Sequence, residues 1–296
     1  MSWMRARLDD FNDLRQFLVK HEVSSVGFSA WLKEKIVSTP HIRNDFTVFI
    51  KRSKNHILGA TSIKEAVLVT EQGLVFPLIK HRPPARLHDL SELSHFMHGF
   101  PIGLNSVIGV TKSVETMVQC IGAGVRAQVD YFLMAIDCFP LSFIPPAPIK
   151  GIHIHKADAE DAMRLFELQK SYELEEVYLN PHAFNETACY ANLKNTLRKE
   201  LVLVAERNGT PVGKAGTNAR GYNMYQLGGV FTREQDRRKG ISFLLMFELL
   251  NRIFKEQKKA CLFVKKSNLG AIRLYEKLGF TMIDNFSIIY LRQNHQ

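Results

Sequence analysis

The sequence predicts an α/β (α+β) fold, in which a mixed central sheet is flanked by helices, and it predicts this fold twice in tandem. The chain has 296 residues, which is long for one compact domain and comfortable for two. Both halves alternate strand-like and helix-like apolar periodicities in a similar order. Four prolines in the segment 140–148 can continue neither a helix nor a central strand. We therefore expect one domain at 1–145 and a second at 151–296.

The second half has the clearer elements. Ile152–Lys156 alternates as a short strand, and Asp158 is typical of the N-cap of a helix. Asn208-Gly209 predicts a hairpin turn. Between Phe243 and Phe254, apolar side chains recur at spacings of three and four, which predicts a helix with one face packed on the sheet. The remaining predicted elements are a helix at 184–199 and strands at 201–206, 211–216 and 224–232.

The first half shows elements of the same kinds. The predicted helices lie near 9–21, 28–37, 87–97 and 113–121, and the predicted strands near 46–51, 57–62, 74–80, 106–110 and 127–136. The order is again helices, three strands, helix, strand, helix, strand. We interpret the first half as a divergent copy of the fold of the second.

Cysteine usage and hydropathy indicate the compartment. The four cysteines are widely scattered and form no Cys-x-x-Cys pair, which is typical of a reduced intracellular protein. No run approaches the roughly 20 apolar residues of a membrane span. The N-terminus has no apolar signal-peptide core. We expect a cytoplasmic protein that does not associate with membranes.

The net charge of +10 raises the question of a nucleic-acid partner. The excess is spread over both halves, since residues 1–150 hold 17 Lys+Arg and 13 Asp+Glu and residues 151–296 hold 22 and 16. No nucleic-acid-binding motif is visible. The local basic clusters lie near one loop in the second half, at 233–239, 255–259 and 265–266. A polyanionic cofactor explains them as well as nucleic acid does, and we favour the cofactor.

That loop is the most informative feature of the chain. A predicted strand ends at Thr232, and a long predicted helix follows the segment Arg237-Arg238-Lys239-Gly240-Ile241-Ser242. Backbone N–H groups without partners and the positive end of the helix dipole meet at such a turn, so three cations and a glycine there favour a bound polyphosphate. The alternative is a turn that is merely solvated.

A second motif follows a further predicted strand. It consists of Asn268, Ala271, Tyr275 and the ending Leu278-Gly279-Phe280. The two motifs, in this order and separated by helix and strand, resemble the acetyl-CoA-binding core of the GNAT superfamily of N-acetyltransferases. One position departs from the family pattern, because Ser242 stands where the family prefers Gly or Ala. The element order over 151–292 is also that of the GNAT fold.

The resemblance implies a set of site residues. The pantetheine arm would lie along the strand before the loop and contact its main chain, and Tyr275 would donate a proton to the leaving thiolate. A phenol with a pKa of about 10 and a thiol with a pKa of about 8.5 make this transfer reasonable. A core role for Tyr275 is the alternative. The implied cofactor-binding residues are Val230, Phe231, Thr232, Arg237, Arg238, Lys239, Gly240, Ile241, Ser242, Asn268, Ala271 and Tyr275.

The general base is less well indicated. Glu175 and Glu176, next to Glu173, lie between the first two helices of the second half, where the family lines its acceptor side. Clustered carboxylates can have raised pKa values, although a Glu-rich helix end is also a common solvated surface. Tyr225 and Glu206 are weaker candidates. Two histidine pairs, at 95 and 98 and at 153 and 155, lack a third metal ligand, so we expect no metal.

The leading hypothesis is an acetyl-CoA-dependent N-acetyltransferase, an acyltransferase that moves the acetyl group to a primary amine by direct attack in a ternary complex. The alternative is a catalytically inactive acyl-CoA sensor. In the first half, the counterpart of the phosphate loop falls at 81–86, where two prolines remove N–H donors, so we expect no CoA there. The acceptor, the acyl chain length and the oligomeric state stay open.

Overall fold

The computed structural model describes residues 2–38, 46–54, 61–83, 90–100, 103–178 and 180–292. The chain divides into two compact units. The first unit comprises Met1–Met134, Phe263–Asn268 and Met282–Gln296, and the second comprises Ala135–Leu262 and Leu269–Thr281. These units differ from the contiguous halves 1–145 and 151–296, because the end of the chain belongs to the first unit. That the two contiguous halves are the two copies of a duplicated domain remains a prediction.

The first unit is a sheet covered by helices on both faces. Its strands are β1 (Trp3–Arg5), β2 (Phe46–Lys54), β3 (Thr61–Thr70), β4 (Leu74–Leu78), β5 (Ser106–Val110), most of β6 (Val125–Ile136) and most of β12 (Thr281–Leu291). Its helices are α1 (Phe11–Lys20), α2 (Val26–Ser38), α3 (Ser91–His98) and α4 (Thr111–Ile121). Neighbouring strands follow the order β1-β2-β3-β4-β5-β12-β6. Strands β4 and β5 are parallel, with Leu74 opposite Ser106 and Val75 opposite Val107.

Two apolar clusters lie on the two faces of this sheet. Helices α1 and α2 place Leu14 and Leu32 against Ile50 of β2. Helices α3 and α4 place Leu93 and Met117 against the opposite face. The alternation of side chains along each strand explains how one strand serves both clusters.

The last strand of the chain belongs to the first unit. β12 pairs antiparallel with β5, from Phe286 opposite Val110 to Tyr290 opposite Ser106. The pairing is supported by a hydrogen bond between the Thr111 and Ser287 hydroxyls at 2.8 Å. Backbone pairing at the centre of a sheet is costly to lose, so the first unit depends on the C-terminal strand.

The second unit repeats the same kind of layering. Its strands are β7 (Ile152–Lys156), β8 (Val202–Arg207), β9 (Thr210–Arg220), β10 (Met224–Thr232) and the start of β11 (Lys259–Lys265). Its helices are α5 (Ala162–Tyr172), α6 (Glu186–Lys199), α7 (Ile241–Lys255) and α8 (Leu269–Leu278). The strand order is β7-β8-β9-β10-β11, with antiparallel pairs up to β10 and a parallel pair between β10 and β11.

Side-chain caps precede two helices of this unit. The Asp158 carboxylate accepts a hydrogen bond from the Glu160 N–H at 2.8 Å and caps a short 3-10 turn, Ala159–Asp161, which leads into α5. The Asn185 side chain accepts from the Ala188 N–H, also at 2.8 Å. The second helix therefore begins at Glu186 rather than at the predicted residue 184.

The element order is the same in both halves of the sequence. Each half runs strand, two helices, three strands, helix, strand, helix, strand. The strand Trp3–Arg5 was not predicted, because it is too short to show a period. The predicted strand 57–62 lies mostly outside the described residues, and β3 continues to Thr70, well beyond it. Residues 87–89 of the predicted helix 87–97 are also outside the described residues, and α3 begins at Ser91.

Helix α7 has apolar side chains on the face that packs on the sheet and also on a second face. Leu245 and Leu249 are fully buried, and Leu245 meets the backbone of β9 at Gly213. The predicted sheet-facing residue Phe247 instead stacks on Phe139 and Phe143, with ring centroids 5.4 and 5.8 Å away. Phe254 contacts the Phe139 ring, and Phe243 contacts the Phe143 ring. The proline-containing segment after β6 thus covers α7, which corrects the assignment of these phenylalanines to the sheet.

Candidate active site

A bulge interrupts β10 next to its end. The register with β9 pairs Gly228 with Gly216 and Phe231 with Lys214, so Gly229 and Val230 together oppose one residue of β9. Two residues opposite one are the mark of a β-bulge, which bends a strand and redirects its peptide groups. Two adjacent glycines within an apolar strand, as at 228 and 229, are by themselves a sequence sign of a bulge, and the register shows one here.

Each glycine of the bulge is required for a different reason. Gly229 has φ of +60°, in the left-handed region that side chains disfavour. A Cβ at Gly228 would lie 2.0 Å from the amide nitrogen of Asn218. The first glycine therefore makes room for a neighbouring strand, and the second allows the backbone to turn.

The parallel pairing of β10 with β11 is short. It joins Met224, Tyr225 and Gln226 to residues 259–261, and no register pair between these two fully described strands follows Gln226. From Leu227 onward, β10 therefore presents main-chain groups on the side that β11 would otherwise occupy. This is the edge along which the resemblance places the pantetheine arm.

The loop after β10 leads into α7 through an uncapped helix start. Arg238 and Gly240 both have left-handed φ, at +59° and +80°, and Gly240 is the N-cap of α7 without a side-chain cap. The first hydrogen bond into the helix is from the Leu244 N–H to the Gly240 carbonyl at 3.0 Å. No backbone carbonyl of the described residues accepts from the N–H groups of 238–243. The start of α7 thus offers a run of donors and the positive end of a helix dipole.

Asp236 anchors this loop, and it was not among the predicted site residues. Its side chain is 2 % exposed. The carboxylate binds the Arg233 guanidinium at 2.8 Å, pairs with Arg207, and lies 3.5 Å from the Lys239 ammonium. Burial alone would raise the pKa of Asp236, but the Arg233 hydrogen bond and the surrounding cations lower the pKa below its ordinary value. An acidic residue inside a basic cluster is the sequence signal that could have found it.

The three cations of the loop have different surroundings. Arg237 donates to the Thr232 carbonyl at 3.0 Å, lies over the Phe231 ring, and forms an ion pair with Glu175 at 2.6 Å. Lys239 donates to the Gln235 carbonyl and faces Asp236. Arg238 is exposed, and it forms no ion pair with any residue in the described ranges. Arg238 is therefore the cation of the loop best placed to meet an anionic ligand.

Ser242 connects the helix to the strand. Its hydroxyl lies 2.7 Å from the hydroxyl of Thr232, so a hydrogen bond joins the first turn of α7 to the end of β10. Ile241 beside it is buried. The serine at this position is thus accommodated by a side-chain partner on β10, where the family pattern prefers Gly or Ala.

The second motif lies on α8. Asn268 immediately precedes the helix, Ala271 is in its first turn, and Tyr275 is buried. Burial, followed by the nearby Tyr172 and Glu176, raises the pKa of Tyr275. The hydroxyl therefore stays protonated at neutral pH and can act as a hydrogen-bond donor. Full proton transfer would require that a bound substrate stabilise the phenolate.

The glutamates predicted as bases differ in environment. They belong to a π-helical turn, Glu173–Val177, a feature often found at functional sites. The exposed Glu175 is engaged by Arg237. Glu176 is half-buried, and its charge contributes to raising the pKa of Tyr172 and of Tyr275. Of the two predicted bases, Glu176 is the one whose charge acts on Tyr275.

A buried cluster beside the bulge was also not predicted from the sequence. Lys214 of β9 is 5 % exposed, and its ammonium donates to the Gly229 carbonyl at 3.1 Å. The same ammonium lies 4.2 Å from the centroid of the Tyr172 ring. Glu173 is buried nearby, accepts from Gln169 at 2.8 Å, and is hydrogen-bonded to Cys189. A lysine in the middle of an apolar strand is the signal that could have found the cluster.

The weaker base candidates have other partners. The Tyr225 hydroxyl donates to Glu256 at 2.6 Å, and Glu206 pairs with Arg164. His153 and His155 stack with centroids 5.8 Å apart. Among the residues that the structure describes, no three His, Cys, Asp or Glu side chains converge as metal ligands. Within the same part of the chain, no helix has the length and hydropathy of a membrane span.

Comparisons with known proteins agree with this geometry. The profile described as the Acetyltransferase (GNAT) family matches residues 163–280. A Drosophila protein is similar in structure with TM-score 0.68 and 16% identity, over 98% of each chain. A tandem GNAT protein from the clavulanic acid biosynthesis pathway is similar with TM-score 0.61 and 13% identity, over 100% of this chain and 99% of that one. A GCN5-related N-acetyltransferase from Sphaerobacter thermophilus has TM-score 0.58 and 17% identity, over 98% and 94%.

A comparison with curated proteins finds no match. The structural similarities are at low sequence identity, so they establish the fold and leave the activity to be argued from the site. The profile match covers the loop, α7 and α8 described above. Residues 163–280 are therefore a domain of the GNAT acetyltransferase family, and the chain as a whole has the fold of a tandem GNAT protein whose first half is GNAT-like in structure.

Proposed function

We propose that the second unit binds acetyl-CoA and transfers its acetyl group to a primary amine by direct attack in a ternary complex. The observation that carries the proposal is the run of N–H groups at 238–243 that no described backbone carbonyl accepts, next to a bulged strand end. These donors and the exposed Arg238 fit the pyrophosphate of CoA. The bulged edge of β10 fits an extended arm that forms main-chain hydrogen bonds.

The reaction needs four contributions from the protein. The edge of β10, at Val230 to Thr232, holds the thioester and directs an N–H at its carbonyl oxygen. A base, for which we propose Glu176, removes a proton from the incoming ammonium. The amine nitrogen then bonds to the carbonyl carbon, the carbon–sulfur bond breaks, the thiolate leaves, and the nitrogen loses its second proton to solvent water, which reprotonates Tyr275 after the step described next. Tyr275 provides a hydrogen bond, and finally a proton, to that sulfur.

One observation favours the alternative of an acyl-CoA sensor. Arg237 occupies the carboxylate of Glu175, so this predicted base is engaged before any substrate binds. The sensor would keep the phosphate loop and lack acceptor-dependent chemistry.

The four free cysteines support our further proposal of a reducing, cytoplasmic setting.

A thiol-release assay with a panel of amines separates the enzyme from the sensor. The enzyme predicts CoA release that depends on at least one amine. Tyr275→Phe is then expected to lower turnover by about tenfold or more, while acetyl-CoA affinity changes by less than about twofold, because the ring remains and only the hydroxyl is lost. Tyr290→Phe, in the first unit, is the control. Acetyl-CoA binding without amine-dependent release in the wild type would favour the sensor.

A further inference from the structure

Lys214 is a charged group inside the sheet of the second unit. It pairs with Phe231 in the register between β9 and β10, directly beside the bulge. Its ammonium donates to the Gly229 carbonyl at 3.1 Å, and a Cβ built on Gly229 would lie 3.0 Å from the same nitrogen. A side chain other than glycine would therefore displace the ammonium from this carbonyl.

The surroundings of Lys214 are specific. The centroid of the Tyr172 ring lies 4.2 Å from the ammonium, and the Gly229 backbone opposes the rise in the Tyr172 pKa that burial causes. Lys214 and Tyr172 thus both act at one residue of the bulge. Burial lowers the pKa of Lys214 to about 8, although the nearby Glu173 and Cys189 act to raise it.

The position of Lys214 has a consequence for the next residue. The Gly229 carbonyl and the Val230 N–H belong to one peptide group. The described chain contains no cis peptide bond, and in a trans peptide the N–H points opposite to the C=O. A cation on the oxygen therefore fixes the N–H on the far side from Lys214. It also withdraws electron density from the peptide group, which makes the N–H a stronger donor.

Val230 is the residue that the resemblance names as a main-chain contact of the thioester. The register leaves Val230 without a partner in β9, as part of the bulge. The proposal requires that its N–H, which points away from Lys214, meets an acceptor from outside the sheet. A donor that is fixed and polarised before the reaction is what stabilisation of an oxyanion requires.

We propose that Lys214 is a positioning residue, whose ammonium holds and polarises the Gly229–Val230 peptide so that the Val230 N–H binds the thioester carbonyl oxygen and the oxyanion that forms from it. The proposal rests on the proposed function, because it assumes that acetyl-CoA binds along β10. Lys214 itself touches no reacting atom.

An infrared measurement tests the proposal without an acceptor. The carbonyl stretch of acetyl-CoA labelled with ¹³C at the thioester carbon shifts to lower frequency when its oxygen accepts a strong hydrogen bond. We expect this shift in the wild-type complex, and a loss of about half of it or more in Lys214→Met, which removes both charge and donor. Lys214→Gln, which keeps a neutral donor, is expected to fall between them. Lys156→Met, an exposed lysine of β7, is the matched control.

A pH series gives a second readout. Lys214 is charged below its pKa of about 8, so the wild-type shift should shrink between about pH 7 and about pH 9.5, and Lys214→Met should show no such change. The other groups that face the ammonium are Glu173, Tyr172 and Cys189. Burial raises the pKa of Tyr172 and of Cys189 to about 12, which places both outside this range.

Stability separates positioning from a merely structural role. The folded pKa of Lys214 lies below its unfolded value, so the wild type should gain stability as the pH rises through this interval. Lys214→Met removes a buried charge and should unfold at least as high in temperature as the wild type at neutral pH. If Lys214→Met binds acetyl-CoA with the full wild-type shift, the inference is wrong. If calorimetry shows that the wild type binds no acetyl-CoA, the proposed function fails instead.

Discussion

Two connections occupy corresponding positions in the element orders of the two halves. One leads from β10 to α7 in the second unit, and the other leads from β4 to α3 in the first unit. In the second unit, Arg237, Arg238, Lys239 and Gly240 lead into a helix of 15 residues. In the first unit, the described chain reaches Pro83 after β4, and a helix of eight residues begins at Ser91. Of the segment predicted to replace the phosphate loop there, Pro84, Ala85 and Arg86 lie outside the described residues.

Both connections are held by a buried carboxylate. Asp236 gathers Arg207, Arg233 and Lys239 at the loop of the second unit. In the first unit, Glu65 is 2 % exposed, accepts from the Lys80 N–H at 2.7 Å and binds Arg82 with both oxygens, at 2.9 and 2.7 Å. Anchoring alone therefore does not distinguish a phosphate site.

The difference lies at the helix N-termini. Helix α3 has Glu92 in its first turn, and the Glu92 carboxylate accepts from the Trp3 N–H at 2.6 Å. Helix α7 has no acidic residue in its first turn and is preceded by cations. A helix N-terminus favours a nearby negative charge. In the first unit the Glu92 side chain provides this charge at α3, whereas at α7 in the second unit a bound ligand would provide it.

The first unit also contains a cavity of about 480 Å³, lined in part by Pro77, Ile79 and Val110.

The largest effect is expected from the left-handed glycine of the loop. Gly240→Val forces a branched side chain to φ of +80°, which strains the turn by roughly 1–2 kcal/mol and rotates the N–H groups away from the phosphate position. We expect acetyl-CoA affinity to fall roughly 100-fold. Gly122→Val, at φ of +68° after α4, is the matched control and should lower stability similarly without changing the affinity. Equal affinity loss in both variants would contradict a local role for Gly240.

Substitutions of the two buried carboxylates, Asp236 and Glu65, are expected to separate an effect on stability from an effect on acetyl-CoA binding. Asp236→Asn should cost about 2 kcal/mol of stability and weaken acetyl-CoA binding roughly tenfold, because the loop loses its ionic anchor. Glu65→Gln should cost a similar stability and leave binding unchanged. Both are measured by denaturant unfolding and calorimetry.

The pH dependence of the free energy of unfolding at acidic pH tests the same contribution of Asp236. The folded pKa of Asp236 lies below its ordinary value of 3.8, so its contribution is present above that pH and is lost as the pH falls through the folded pKa. Asp236→Asn should lose this part of the acid dependence. An unchanged acid limb would show that the ion pairs contribute nothing.

A smaller effect is expected for the exposed cation of the loop. Arg238→Gln should weaken acetyl-CoA binding about fivefold to tenfold and make the affinity less dependent on salt, because one phosphate contact is lost. Lys112→Gln makes the same charge change at the first turn of α4 in the first unit. Matching losses in the two variants would mean that net charge, and not the loop, attracts the cofactor.

The smallest effect is expected at the position that departs from the family pattern. Ser242→Ala removes the hydrogen bond to Thr232 and should cost about 1 kcal/mol of stability. Acetyl-CoA affinity should change by less than about threefold, since the N–H of residue 242 remains. A loss comparable to that of Gly240→Val would show that the hydroxyl itself contacts the ligand. The measurements are thermal unfolding and calorimetry.

The features with a local sequence signal were predicted well. Gly228 and Gly229 indicated the bulge, and the order of elements in the second half followed from periodicity, caps and the Asn208-Gly209 turn. These signals are short-range, because the residues that produce them are neighbours in sequence.

The features that depend on distant pairing were not predicted. Nothing in the sequence indicates that β12 pairs with β5, since β12 is as apolar as a strand in either unit would be. Lys214 and Asp236 acquire their roles from partners on other elements, so their environments exist only in the folded chain. The assignment of Phe247 to the sheet failed because α7 has apolar side chains on more than one face, and this pattern does not say which face meets which neighbour.

The most direct test of the account is a calorimetric titration of the full chain with acetyl-CoA. If the N–H groups at the start of α7 form the cofactor site and the first unit supplies its own negative charge, the titration should show one equivalent bound, and Gly240→Val should weaken the binding roughly 100-fold. No heat from acetyl-CoA, or two equivalents bound with the same affinity in Gly240→Val, would contradict the account.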